Sequence, residues 1–196
     1  MRFSGRMALV PALAGLLFLA LAPVARSASS AGRLDDAVLA ELNFARARPA
    51  EYARELRRET YGGDDPAAVE EAIDFLERQD SLPPLAEDRR VAAAAREHTA
   101  SQGPHGDVGH GPAGALGRRL REQGVWAGLS AENISYGYDD PREVVRQLII
   151  DSGVPGRGHR RNIFGSAYQL AGVACGPHRA YGYMCVIDFA GALPPR

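Results

Sequence analysis

The stretch YQLAGVACGPHRAYGYMCVIDFAG, residues 168–191, decides the fold. Tyr168–Gly176 and Gly182–Gly191 carry the β-branched and aromatic residues that suit a pleated, half-buried surface. The Gly, Pro and polar residues between them read as a turn near Ala180, so two strands joined by a hairpin are expected to close the chain. Cys175 and Cys185 stand symmetrically about that turn. Opposed residues of an antiparallel pair bring their Cα atoms close enough for a disulfide. That bond is the favoured reading for an exported chain, two free buried thiols the alternative, and both are structural.

Upstream, the pattern changes from period two to helical. Leu34, Val38, Leu42 and Ala45 form one helical stripe. Pro49 closes that helix and opens the next, which carries Tyr52, Ala53 and Leu56. Asp65 is a candidate N-cap, with Pro66 as first residue of a helix to about Gln79. Leu82-Pro83-Pro84-Leu85 reads as an extended connector, and Asp88 to Gln102 as an Ala-rich helix ended by Gly103-Pro104. Residues 103–117, with six Gly and two Pro, read as an irregular loop. A short helix from about Ala115 to Gln123 and a strand or turn from Glu132 to Tyr138 follow. Asp140-Pro141 then opens a helix with Val144, Val145 and Leu148 inward, broken at Gly153 and Pro155. Helices in front and strands behind describe an α+β fold.

Composition narrows the chemistry. The 196 residues are 45% hydrophobic and 24% charged, the balance of an ordinary globular domain. All 23 basic residues are Arg. A Schiff-base lysine, a P-loop lysine and a Ser–Lys mechanism are thereby excluded. A net charge of −1 leaves no electrostatic footprint for nucleic acid, and two cysteines are too few for a four-thiolate zinc site. At the N-terminus, Arg2 and Arg6 precede an apolar run from Met7 to Ala25 that ends in small residues around Ser27. The run is just long enough to be a membrane anchor, but Pro11 and Pro23 interrupt it and small residues follow. A signal peptide, residues 1–27, is therefore favoured, and with it a secreted or periplasmic chain with no stable membrane anchor after cleavage. A short linker at 28–33 would lead into the domain at 34–191, leaving 192–196 as a tail.

Two residues hint at a site. Asp151 follows Leu148 by three positions, so an uninterrupted helix places it on the apolar face, where a carboxylate needs hydrogen bonds, a cation or a metal. The alternative is a cap for the turn at Ser152-Gly153. His98 shares a helical face with Val91 and Ala95, more the position of a hydrogen-bonded core histidine than of a ligand.

Four short motifs then occur in one order. Leu42-Asn43-x-x-Arg46 with Pro49 and Tyr52, Ala131-Glu132-Asn133-Ile134, Gly158-His159-Arg160-x-Asn162-Ile163, and Gly172-Val173-Ala174 with Tyr183 and Asp188-Phe189 resemble the motifs of the CAP superfamily. This is the SCP domain of cysteine-rich secretory and pathogenesis-related proteins. The resemblance runs from about Leu34 to Gly191, with 62–79 as a candidate insertion, either a lid or a surface helix. It implies a three-layer α–β–α sandwich around a central antiparallel sheet. It also implies a cleft of two His and two acids: His110 (with His105, like His98, lower-ranked), Glu132, Asp151 and His159. Zinc or another divalent metal is implied there. The expected function is a secreted, non-enzymatic binding module for a small lipid, metal ion or protein partner. The alternatives are a metal-dependent hydrolase or peptidase with Glu132 as general base, and a structural or cell-envelope role in which the tetrad only organises loops through hydrogen bonds.

Overall fold

The computed structural model describes Met1 and residues 30–59 and 64–193. The expected export segment therefore lies, apart from Met1, outside the described residues, as does most of the tail. Helix α1 (Ser30–Ala47) is followed by α2 (Pro49–Arg58), α3 (Pro66–Arg78), strand β1 (Ala86–Glu87), α4 (Arg89–Gln102) and α5 (Ala115–Glu122). Then come β2 (Ser130–Tyr136), α6 (Pro141–Ile150), α7 (Gly158–Ile163), β3 (Leu170–His178) and β4 (Gly182–Ala190). Among the described residues no helix is long and apolar enough to cross a membrane.

Local chemistry sets most of these ends. Asp65, Asp88 and Asp140 each accept backbone N–H groups of the first turns of α3, α4 and α6, satisfying donors that a helix leaves unpaired. Helix α1 begins at Ser30, so residues 30–33 are its first turn rather than a linker. The apolar stripe underestimates the helix because a first turn need not face the core.

The sheet has the order β1-β3-β4-β2. Strands β3, β4 and β2 are antiparallel, with Cys175 directly opposite Cys185 and the two joined as a disulfide. The expected central antiparallel sheet is present, and the two-residue β1 adds to its edge, parallel to β3. The end of the Leu82–Leu85 connector is drawn in because Ala86 and Asp88 N–H groups bond to Gln169 and Ala171 carbonyls. Those bonds come from residues far along the chain, which a short apolar run does not reveal.

Alternation along β4 builds the three layers. Cys185, Ile187 and Phe189 join the main core with α1, α2, α3 and α6, while Met184, Val186 and Ala190 face α4 and α5. At Gly172 a Cβ would lie 2.0 Å from the Ala92 nitrogen, so glycine here lets α4 rest on β3.

Helix α3 is neither lid nor surface decoration. Ala68, Ala72, Ile73 and Leu76 are buried in the main core, and Phe75 packs edge-on against Phe164 at 5.2 Å. Asn43 exchanges two hydrogen bonds with Leu85, at 2.8 and 3.0 Å, and buried Arg46 donates to the carbonyls of Pro83, Ile163 and Gly165. The first motif is thus a clamp that fixes the connector and the end of α7.

Candidate functional site: two histidine–acid pairs and an apolar groove

The expected tetrad assembles as two pairs. Glu132 projects from β2 opposite Asp188 of β4. Its Oε1 meets His110 Nδ1 at 2.8 Å, and its Oε2 takes a hydrogen bond from Arg119 of α5. His110 rides the loop after α4, which is tied down at Gly109. The Gly109 N–H donates to Tyr136 Oη at 2.9 Å, while its carbonyl is met by Gln102 Nε2 at 2.7 Å and by His98 Nε2 at 3.0 Å. His98 is therefore a buried, hydrogen-bonded support, and burial holds its pKa down. His105 lies exposed, with Nδ1 against the Ser101 carbonyl, apart from the pair. His178, buried in the hairpin, accepts the Ala180 and Tyr181 N–H groups at Nδ1, which leaves Nε2 to donate to the Asp107 carbonyl.

Burial alone would raise the Glu132 pKa. The bond to His110 and the charges of His98 and Arg119 outweigh it and keep the carboxyl ionised below its ordinary range. Asp188 goes the other way: full burial, and then the charge of Glu132, hold it well above a normal aspartate. No described donor reaches either Asp188 oxygen, so a proton retained on Asp188 relieves both charges.

The second pair is tighter. Asp151 does not extend α6. It caps it in the left-handed region, φ 54°, with its carboxylate buried. Both sequence readings are partly right: the residue ends the helix and also faces inward. One oxygen meets His159 Nδ1 at 2.6 Å, while the other accepts the His159 N–H at 2.9 Å and the Arg160 N–H at 3.4 Å. The 152–158 segment turns back between two left-handed residues, Asp151 and Arg157, and Glu71 of α3 holds Arg157 and Arg160. A cavity of about 220 Å³ lies beside His159, bounded by Tyr138, Gln147 and Ser152.

Consecutive residues of β2 serve different pairs. Glu132 faces the α4–α5 side, while Asn133 turns the other way and donates to the His159 carbonyl at 3.0 Å, its own oxygen taking Asn162 Nδ2 at 2.8 Å. Each acid is spent on its own imidazole. Among the described residues, no group of three or more His, Cys, Asp or Glu side chains is arranged to hold a metal ion. A catalytic zinc takes three protein ligands, and here at most the two imidazole Nε2 atoms remain. The residues do not fit the implied metal centre, and Glu132, bonded to both His110 and Arg119, is not placed as a free base.

Sequence reasoning missed Arg119, Asn133 and Asp188 as site residues. An acid in the apolar run Met184–Phe189 was the available signal for Asp188. It also missed a groove of about 640 Å³ between α1, α4 and β3. Small and apolar residues line it, among them Ala100, Gly103, Pro104, Ala174 and Pro177, with Asp35, Arg96 and Arg179 as its charged groups.

Comparison with known proteins gives a family. The model of the CAP family, described as the cysteine-rich secretory protein family, matches residues 39–189. An extracellular SCP-domain protein of Bacillus anthracis strain Ames is 25% identical, with 57% of this chain and 35% of that one covered at a TM-score of 0.47. An outer surface protein of Borrelia burgdorferi is 15% identical over 78% of this chain and 92% of its own, TM-score 0.48. A cysteine-rich secretory protein of Staphylococcus aureus is 17% identical over 67% and 41%, TM-score 0.44. This chain thus spans little more than a third of the Bacillus protein. A search of curated proteins gave no match.

Proposed function

The chain belongs to the CAP family of cysteine-rich secretory proteins, and from that premise we propose that it is an extracytoplasmic binding module for a small amphiphile. The occupied site is the α1–α4 groove rather than the histidine–acid cleft. The groove itself is the observation that carries this reading: about 640 Å³, within the range of small-molecule sites, with mostly apolar walls. The two pairs serve the fold, holding the α4–α5 loop and the start of α7 against β2. A hydrolytic reading gains no support from them, because among the described residues no Ser, Thr or Cys side chain is hydrogen-bonded to either imidazole.

Calorimetry with decanol tests the site. Saturable binding is expected, and Ala100→Trp, which fills the groove from the exposed side of α4, should weaken it at least about tenfold, a loss of about 1.4 kcal/mol. His110→Ala and His159→Ala should leave it within about twofold. No saturable binding, or binding lost in His159→Ala and kept in Ala100→Trp, contradicts the proposal.

A further inference from the structure

We propose that Asp35 decides which head group the groove admits: ionised, it excludes an amphiphile with an anionic head, and protonated, it admits one. This rests on the groove being the binding site. Asp35 lies on α1 at the groove wall, half-buried, with Oδ1 accepting the Cys175 N–H at 2.7 Å. No described residue donates to its Oδ2. Arg96 of α4, whose charge acts on Asp35, and Arg179 of the hairpin also line the groove. Among the described residues neither arginine has a carboxylate within ion-pair distance.

The groove thus offers two cations to an anionic head and one carboxylate that opposes it. The groups acting on Asp35 come from every neighbouring element: Asp36 on its own helix, Arg96 on α4, Glu87 on β1 and the Cys175 amide on β3. His178, also at the groove, has both ring nitrogens engaged and does not compete for the ligand. Burial, reinforced by Asp36 and Glu87, outweighs the Cys175 bond and Arg96 and raises Asp35 to about 6. The carboxyl therefore takes one proton from solvent over the range in which an extracytoplasmic space acidifies. The neutral acid can then donate from Oδ2 to an anionic head while Arg96 supplies the charge.

The test compares a permanent anion, decanesulfonate, with neutral decanol, by calorimetry at pH 5.0 and pH 7.5. If only the protonated form binds the anion, its competent fraction falls roughly 30-fold between those values for a group titrating at about 6. Decanesulfonate should weaken by roughly that factor in the wild type, whereas decanol should change less than about twofold. Asp35→Asn keeps an acceptor for the Cys175 amide, and it should bind decanesulfonate almost equally at both pH values. Arg96→Ala should weaken decanesulfonate at pH 5.0 and leave decanol unchanged, a result independent of how well the Asn variant folds. Decanol binding with a flat decanesulfonate profile, or a pH slope that survives in Asp35→Asn, overturns the role of Asp35 and leaves the groove reading standing. Absence of binding by both amphiphiles overturns both.

Discussion

The histidine–acid pairs and the α1–α4 groove differ in what each leaves unsatisfied. At the pairs every carboxylate oxygen of Glu132 and Asp151 is engaged, by an imidazole, a guanidinium or a backbone amide. The groove inverts this: among the described residues its walls are mostly apolar, its two arginines have no carboxylate within ion-pair distance, and its one carboxylate is bonded through a single oxygen. Polar groups that satisfy one another stabilise and orient a fold, whereas binding a ligand requires partners still to be met. On the proposed reading, the residues that look most like an active site in the sequence act as internal fasteners, and the α1–α4 groove is the receptive surface.

The sharpest way to break that comparison is to unfasten a pair. Arg119→Ala removes the cation from a carboxylate already faced by Asp188, and loss of one partner of a buried ion pair costs about 3–5 kcal/mol. Urea unfolding should register this, and a loss below about 1 kcal/mol would show that the pair is not a fastener. Asp151→Ala should cost about 2–3 kcal/mol, because charged hydrogen bonds to the His159 ring and two amides disappear from a buried position. Asn43→Ala, which frees both polar groups of Leu85, is expected to cost about 1–2 kcal/mol.

The smallest effect carries a sign that distinguishes the groove from the pairs. Asp35 is raised in the folded chain, from 3.8 to about 6, so its contribution to stability is present below pH 3.8 and lost as pH rises through about 6. Asp35→Asn should consequently stabilise the protein at pH 7.5, by no more than about 1 kcal/mol after allowance for its solvent exposure. The gain should vanish near pH 4. Glu132 behaves oppositely: its depressed pKa stabilises above its ordinary value near 4.5, and that contribution is lost as pH falls through the lower folded value. Thermal melts of wild type and Asp35→Asn between pH 4 and 8 test the sign for Asp35.

Much of this was legible in the sequence where the cause is local. Asp65-Pro66 and Asp140-Pro141 mark helix starts through an N-cap and a fixed proline φ, and the structure places α3 and α6 there. The spacing of Cys175 and Cys185 about the hairpin anticipates their bond. All four expected tetrad residues form hydrogen-bonded pairs, but side-chain alternation along β2 sends Glu132 and Asn133 to opposite sides, and one motif therefore serves both pairs separately. What stayed hidden depends on distant partners. An apolar stripe on residues 66–78 does not say that Phe75 will meet Phe164. A groove lined by α4 and β3 leaves no motif, because small residues contribute by what they do not fill. A continuous helix would carry Asp151 along its apolar face, but its left-handed φ comes with the chain reversal that follows.

The central claim is that the groove, not the histidine–acid cleft, receives the ligand. Titration of isotopically labelled protein with decanol, followed by NMR, tests it most directly. The account predicts saturable shifts of the Ala100, Gly103, Ala174 and Gly176 amides, with the His110 and His159 imidazole nitrogens unmoved. Shifts confined to those imidazoles and to Glu132 and Asp151 would contradict it.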